Sequence, residues 1–293
     1  MRYFEKRPMV MIALGVLGIS MSAIFVKFSE APSAVTAAWR LLWTVALMTP
    51  VVWGRGTVRR ELLAVGWKTA ALSALSGVFL AVHFVLWFES LNQTSVASST
   101  TIVCTEVIWV CLGYRLFLGG KIPGRALAAI VVTLAGSVLI AFSDSGSQGH
   151  LRGDVLALLA AVAVAGYTLI GRVVREKVST SVYTYLVYTV CAFVLVLTCV
   201  AQGQGLTAHG SSPIWVGLAL AVFSTILGHS VFSWCLKYFS PAFVSASKLC
   251  EPVGAAALAA VLFAQIPTVL QLLGGGLILG GVLWYSKMEG EKA

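Results

Sequence analysis

The chain is divided into about ten apolar runs, near 9–28, 33–53, 67–91, 94–118, 125–142, 153–174, 181–201, 213–236, 241–263 and 268–286. Each is close to the roughly 20 residues that carry an α-helix across a bilayer. In lipid the backbone must satisfy its own N–H and C=O groups, so runs of this length fold as helices. Only 11% of the residues are charged and 59% are hydrophobic, with a mean hydropathy of +0.92, against about 25% charged in soluble domains. The expected fold class is an all-α integral membrane protein of ten transmembrane helices, and 293 residues leave no room for a soluble domain. The amino end precedes an apolar run without a small-residue cleavage site and reads as the first membrane helix.

The formal charge of +9 does not imply nucleic acid. Its carriers sit in alternate short connections: Arg2, Lys6 and Arg7; Arg55, Arg59, Arg60 and Lys68; Arg115, Lys121 and Arg125; Arg172, Arg175 and Lys177; Lys237; Lys287 and Lys292. The opposite connections hold little beyond Lys27 and Arg152. The positive-inside rule then places both termini in the cytoplasm, and the even helix count agrees. Ser212-Pro213 and Ser240-Pro241 are expected to cap helix starts. The six cysteines lie in apolar runs without metal-ligand spacing and read as packing residues.

The sequence also repeats. LFLGGKIP at 116–123, followed by a helix ending AGSVLIAF, recurs as VLFAQIP at 261–267, followed by one ending LGGVLWY. A shift of about 145 residues lays Glu106 on Glu251, Gly136 on Gly281 and His83 within one position of His229. Two five-helix repeats are expected, at 9–142 and 153–286. Five is odd, so the second is inverted in the membrane, a construction common in secondary transporters.

The run 241–263 carries Lys248 and Glu251 inside it, although a charge near a helix centre costs about 2.5–3.5 kcal/mol on the insertion scale. Three residues apart, the two share a helical face and are expected to neutralise each other in part, facing protein or water. Pro252 has no N–H for the Lys248 carbonyl, so charge and broken backbone coincide. The spot reads as a transport site, with a static ion pair locking two helices as the competing reading.

Arg40 and Glu106 complete the intramembrane charges. Because Lys248 is expected to hold Glu251, Glu106 is the carboxyl expected to exchange protons. Arg40 is expected to snorkel, tie the repeats together or act in gating. His83 and Trp87 lie four apart on one run, and His229 and Ser233 on another, with the two histidines expected on opposing walls of one central cavity. Trp87, Tyr167 and Trp234 are candidates for lining it by stacking or cation–π attraction. The hydroxyls of Ser98 to Thr101, Ser99 among them, serve either a ligand or helix packing. Lys27, Glu30 and Glu89 are expected to form an ion pair near helix ends. Gly274 to Gly276, Gly280 and Gly281, with the Ala/Gly-rich fifth helix, are expected to make a close helix contact at the repeat or the dimer interface.

The pattern AAWRLLW around Arg40, LWFESLNQTSVASST leading into the fourth helix and CEPV in the ninth resemble, in this order, the EamA-type transporters of the drug/metabolite transporter superfamily. That family commonly carries a Glu in the turns after helices four and nine, where this chain has Gly120 and Gln265. Its ninth-helix proline is matched by Pro252, and the first-half counterpart falls near Val107. The resemblance implies a multi-pass protein of the cell (inner or plasma) membrane and no enzyme. It implies alternating-access secondary transport, outward, of small metabolites such as amino acids or amines. Glu106, Lys248, Glu251, His83, Trp87, His229, Trp234, Tyr167 and Ser99 are then the candidate substrate-binding residues, and Arg40 and Pro252 the structural or gating ones. No cofactor and no metal are expected. The partners are a small-molecule substrate, protons as candidate coupling ion, and lipid, with the chain a monomer or homodimer. The alternative is a gradient-driven facilitator or exchanger of nucleotide sugars, nucleosides or drug-like cations. An intramembrane enzyme lacks its motifs here, with no HExxH or GxSxG, and the inverted repeat argues against a simple channel or scaffold.

Overall fold

The computed structural model describes residues 8–94, 96–143, 151–263 and 267–290. Arg2, Lys6, Arg7, the 145–150 loop, Gln265, Lys292 and the side chain of Ser98 lie outside the described residues. All regular structure among the described residues is helical. Eight helical stretches are long and apolar enough to cross a membrane, and Gly124–Ile140 is a shorter apolar one.

The polarity of the molecule suits lipid. Large apolar side chains such as Leu17, Phe117, Val261 and Leu272 are exposed, while Arg40, Glu106, Lys248 and many Ser and Thr hydroxyls are buried. Outside contact with lipid tails leaves no hydrophobic drive for helix pairing, so close packing and internal hydrogen bonds must supply it. Buried hydroxyls accordingly turn back on their own helices, as Thr44 does to the Arg40 carbonyl at 2.7 Å.

Helix pairing has the same pattern in both halves. Trp67–Gln93 packs along Leu151–Arg175, and the π-helical segment Leu220–His229 packs along Pro8–Ser20. Ser33–Gly54 lies on Thr180–Ala201, and Gly124–Ser143 on Val269–Gly290. Two distinct ends result. At one, Ser286 donates to Met9, Ser240 to Glu289, and Arg172 to the Leu236 carbonyl. At the other, Thr94 meets Asp154, Asn92 meets Ser33, and Ser212 meets Phe28 and Glu30. The first half therefore starts at the end where the second half does not.

Small residues make the tightest of these contacts possible. A Cβ on Gly136 would come within 2.5 Å of the Gly274 carbonyl oxygen, and one on Gly274 within 2.6 Å of the Gly136 oxygen. The expected contact of the glycine-rich helices is thus present, through Gly274 and Gly281, while Gly276 and Gly280 face open space. Ser240 caps its helix through the Phe243 N–H at 3.2 Å, as the Ser-Pro signal predicts. Ser212 does not cap, because its hydroxyl is taken by the 28–30 connection. Glu89 likewise forms no ion pair with Lys27 among the described residues and is held by Ser33 and Gln93 instead.

Among the described residues, three apolar runs are broken within their length. Pro241–Lys248 ends in tightened bonds from Leu249 to Ala246 and from Cys250 to Ser247, and Glu251–Phe263 begins immediately beyond. Pro252 explains the position, since it cannot donate to the carbonyl of Lys248. Val96–Cys104 gives way to Glu106–Phe117 at Thr105, whose N–H and hydroxyl both turn to the Ile102 carbonyl. No proline is needed there, because the hydroxyl competes for the ladder. Pro8–Ser20 is separated from Ser22–Val26 at Met21.

Candidate functional site

The breaks in 96–117 and 241–263 put Glu106 and Glu251 each at the first residue of a helix that starts inside the molecule. Such helix starts carry free N–H groups and a partial positive charge, which favour carboxylates there. Both glutamates, with Lys248, line one cavity of about 40 Å³, room for roughly two or three waters. His83, Trp87, His229 and Ser22 supply its other polar groups, and Ile19, Val103, Cys104 and Val164 its apolar wall.

The charges do not pair as neighbours in sequence. Lys248 Nζ donates to Glu106 Oε1 at 2.8 Å, joining the two repeats, with both side chains at least nine-tenths buried. Its ammonium also lies 5.7 Å from the Phe232 ring centroid. The expected Lys248–Glu251 pairing is corrected for a physical reason. The helix stops between the two residues, so their spacing of three no longer fixes their geometry, and the ammonium goes to Glu106. Glu251 makes no hydrogen bond or ion pair among the described residues, although it borders the cavity.

His83 Nδ1 lies 3.0 Å from the Ala160 carbonyl. A carbonyl only accepts, so Nδ1 carries the proton and Nε2 is left as an acceptor in the neutral ring. The His83 ring stacks on Trp87 at 5.9 Å and meets His229 edge-on at 6.5 Å. The two histidines therefore touch rather than face each other across the cavity. Trp87 Nε1 is buried and has no hydrogen-bond partner among the described residues, a donor left open on a residue that lines the same cavity as Glu251. The π-helical segment ends at His229, and its wider turn sets that ring against Phe84 and Tyr167.

Other expected site residues lie behind this lining. Tyr167 supports it from the second layer, with its ring 6.1 Å from His229 and its hydroxyl 2.7 Å from Ser233 Oγ. Ser99 is fully buried and bonded to Ser90, so it ties two helices together. Trp234 lies on the Tyr238 ring at 4.3 Å, away from the cavity and toward the helix end. Arg40 is fully buried rather than snorkelling. Its Nε donates to Thr225 Oγ1 at 2.8 Å and its Nη1 to Ser22 Oγ at 3.2 Å, linking the repeats, and its guanidinium covers the Phe84 ring at 4.2 Å. Nη2 has no partner. Ser22 and Thr225 were not legible as site residues, since one sits at an unsignalled break and the other in a π turn whose sequence reads like any helix.

The EamA-like transporter family model matches residues 6–142 and again 151–287. The chain belongs to the EamA-like transporter family. Membership in EamA makes it a multi-pass cell-membrane transporter of the drug/metabolite superfamily, and points away from an enzyme. An uncharacterized transporter of Bacillus subtilis (strain 168), YwfM, is 26% identical over 250 residues, 84% of this chain and 81% of its own length. Another from the same organism, YxxF, is 26% identical over 210 residues, 70% of this chain and 66% of its own. A solved crystal structure superposes with a TM-score of 0.79 over 98% of both chains at 17% identity, which shows the fold alone.

Proposed function

We propose that this EamA chain is a secondary active transporter that exports a small amine or zwitterion, such as an amino acid, by alternating access. In this reading ten crossings form two inverted repeats, 9–142 and 153–286, with both termini cytoplasmic. The observation that carries it is Glu251: a carboxylate lining the central cavity, without a partner among the described residues, in the cavity that Trp87 also lines, whose N–H has no partner among those residues. A partly buried carboxylate without a partner is costly, and an ammonium is the complementary group. Trp87 Nε1 offers a donor for a substrate carboxylate or carbonyl, and His83 Nε2 a further acceptor.

Lys248–Glu106 plays a different part in this scheme. A pair that bridges the repeats at the cavity holds the two halves in one arrangement, and rocking between arrangements must strain or remake it. The proton role expected for Glu106 moves to Glu251, the carboxyl that Lys248 does not occupy. Arg40 fixes the closed packing around the site rather than contacting substrate.

Thermal unfolding of the purified protein against amino acids, amines, nucleosides and sugar nucleotides tests the substrate class, because a ligand of the folded form raises stability. Amines or amino acids should raise the melting temperature. Response only to nucleosides or sugar nucleotides would contradict the reading. In proteoliposomes the stabilising ligand should show trans-stimulated counterflow, whereas flux without trans-stimulation would indicate a pore.

A further inference from the structure

A second, polar pocket of about 220 Å³ opens at the end of the molecule where the basic connections gather, and the transport site has no use for it. It lies between the helix end at Tyr114, the turn at Lys121, the end of Leu151–Arg175 at Arg172, and the connection carrying Lys237 and Tyr238. Gly119 turns the chain with φ +61, and the Gly120 N–H returns to the Tyr114 carbonyl at 2.9 Å. A Cβ on Gly120 would lie 2.2 Å from the Tyr114 ring, so only a glycine fits against that ring just before Lys121.

Three cations face one carboxylate there. Lys121 and Lys237 are exposed and have no ion pair among the described residues. Arg172 uses Nη1 to hold the Leu236 carbonyl at 2.6 Å, and Nη2 meets Glu176 at 3.2 Å. Glu176 is 60% exposed, and such a rim pair is weak. The carboxylate, Glu289, is buried in the wall and accepts from Ser240 Oγ at 2.7 Å. The pocket thus keeps a net positive charge, with two exposed ammonium groups and a guanidinium as donors.

We propose that this pocket binds the headgroup phosphate of an anionic phospholipid. A phosphate accepts several charge-assisted bonds at once from such a donor set. The pocket lies at helix ends, which the topology proposed above puts at headgroup depth on the cytoplasmic side, where basic pockets between helices suit that ligand. Leu116 and Phe117, 65% and 81% exposed within one turn of Tyr114, lie where the acyl chains would run. A soluble phosphate shares the headgroup chemistry but gains nothing from that apolar flank.

The test compares thermal unfolding of the full chain in phosphatidylcholine nanodiscs with and without phosphatidylglycerol, and separately with inorganic phosphate. Phosphatidylglycerol should raise the melting temperature by roughly 2–4 °C, and the double variant Lys121→Gln/Lys237→Gln should lose that rise while melting normally in phosphatidylcholine. A control, Arg55→Gln/Arg59→Gln, removes two exposed charges at the same membrane face and should keep it. An unchanged rise in the Lys121/Lys237 variant, or an equal loss in the control, would overturn the proposal. A response to inorganic phosphate without one to phosphatidylglycerol would overturn the lipid source and leave a site for a soluble anion.

Discussion

At the scale of single residues, the structure separates two glutamates that the sequence presents as equivalents. Lys248→Ala leaves Glu106 buried without its cation, and breaking a buried pair costs about 3–5 kcal/mol. A large loss of thermal stability and of expression is the expected outcome. The double variant Lys248→Met/Glu106→Gln removes both charges and should recover much of that loss. Glu251→Gln breaks no pair and should melt close to wild type, yet weaken binding of the stabilising amine roughly tenfold to a hundredfold, the loss of one charged hydrogen bond. Fluorescence-detected unfolding with and without ligand reads both quantities. The four intramembrane charges and the cavity histidines were legible because charge inside an apolar run demands a protein-facing environment. Their pairing was not, because nearness in sequence counts only while the helix continues, and it stops between Lys248 and Glu251. Trp234 and Ser99 were misplaced for a related reason: periodicity gives the face of a helix, not which neighbour that face meets.

At the scale of elements, helix interruptions set the geometry of the site. Pro252 announced one of them, and Pro252→Ala restores an N–H for the Lys248 carbonyl. That variant should fold, show slower amide hydrogen exchange around 249–254, and transport more slowly, because a straightened helix no longer presents Glu251 at a helix start. Exchange unchanged from wild type would remove proline as the cause of the break. Thr105 carries no such signal, and the π turn ending at His229 obeys the same apolar pattern as an ordinary helix, so neither was readable in advance. The glycine contact was readable. Gly136→Val drives a side chain into the Gly274 carbonyl and should lower the melting temperature strongly, whereas Gly276→Ala meets open space and should leave it nearly unchanged.

At the scale of the whole molecule, long apolar runs and a repeat of about 145 residues made an all-helical membrane protein of two related halves legible before any side-chain contact was known. The pairing of helices carries the same repeat, and the paired connections fall at two distinct ends. Single cysteines at Arg59 and Ala208, both exposed, should label from opposite sides of the membrane, the first from the cytoplasm. Labelling from one side would break the proposed topology. Which carboxyl works the cycle is decided by flux of the stabilising amine into proteoliposomes under an imposed pH gradient, comparing wild type with Glu251→Gln. The account predicts gradient-dependent flux in the wild type and a folded Glu251→Gln protein whose residual flux ignores the gradient. A Glu251→Gln protein that still responds to the gradient as the wild type does would contradict it.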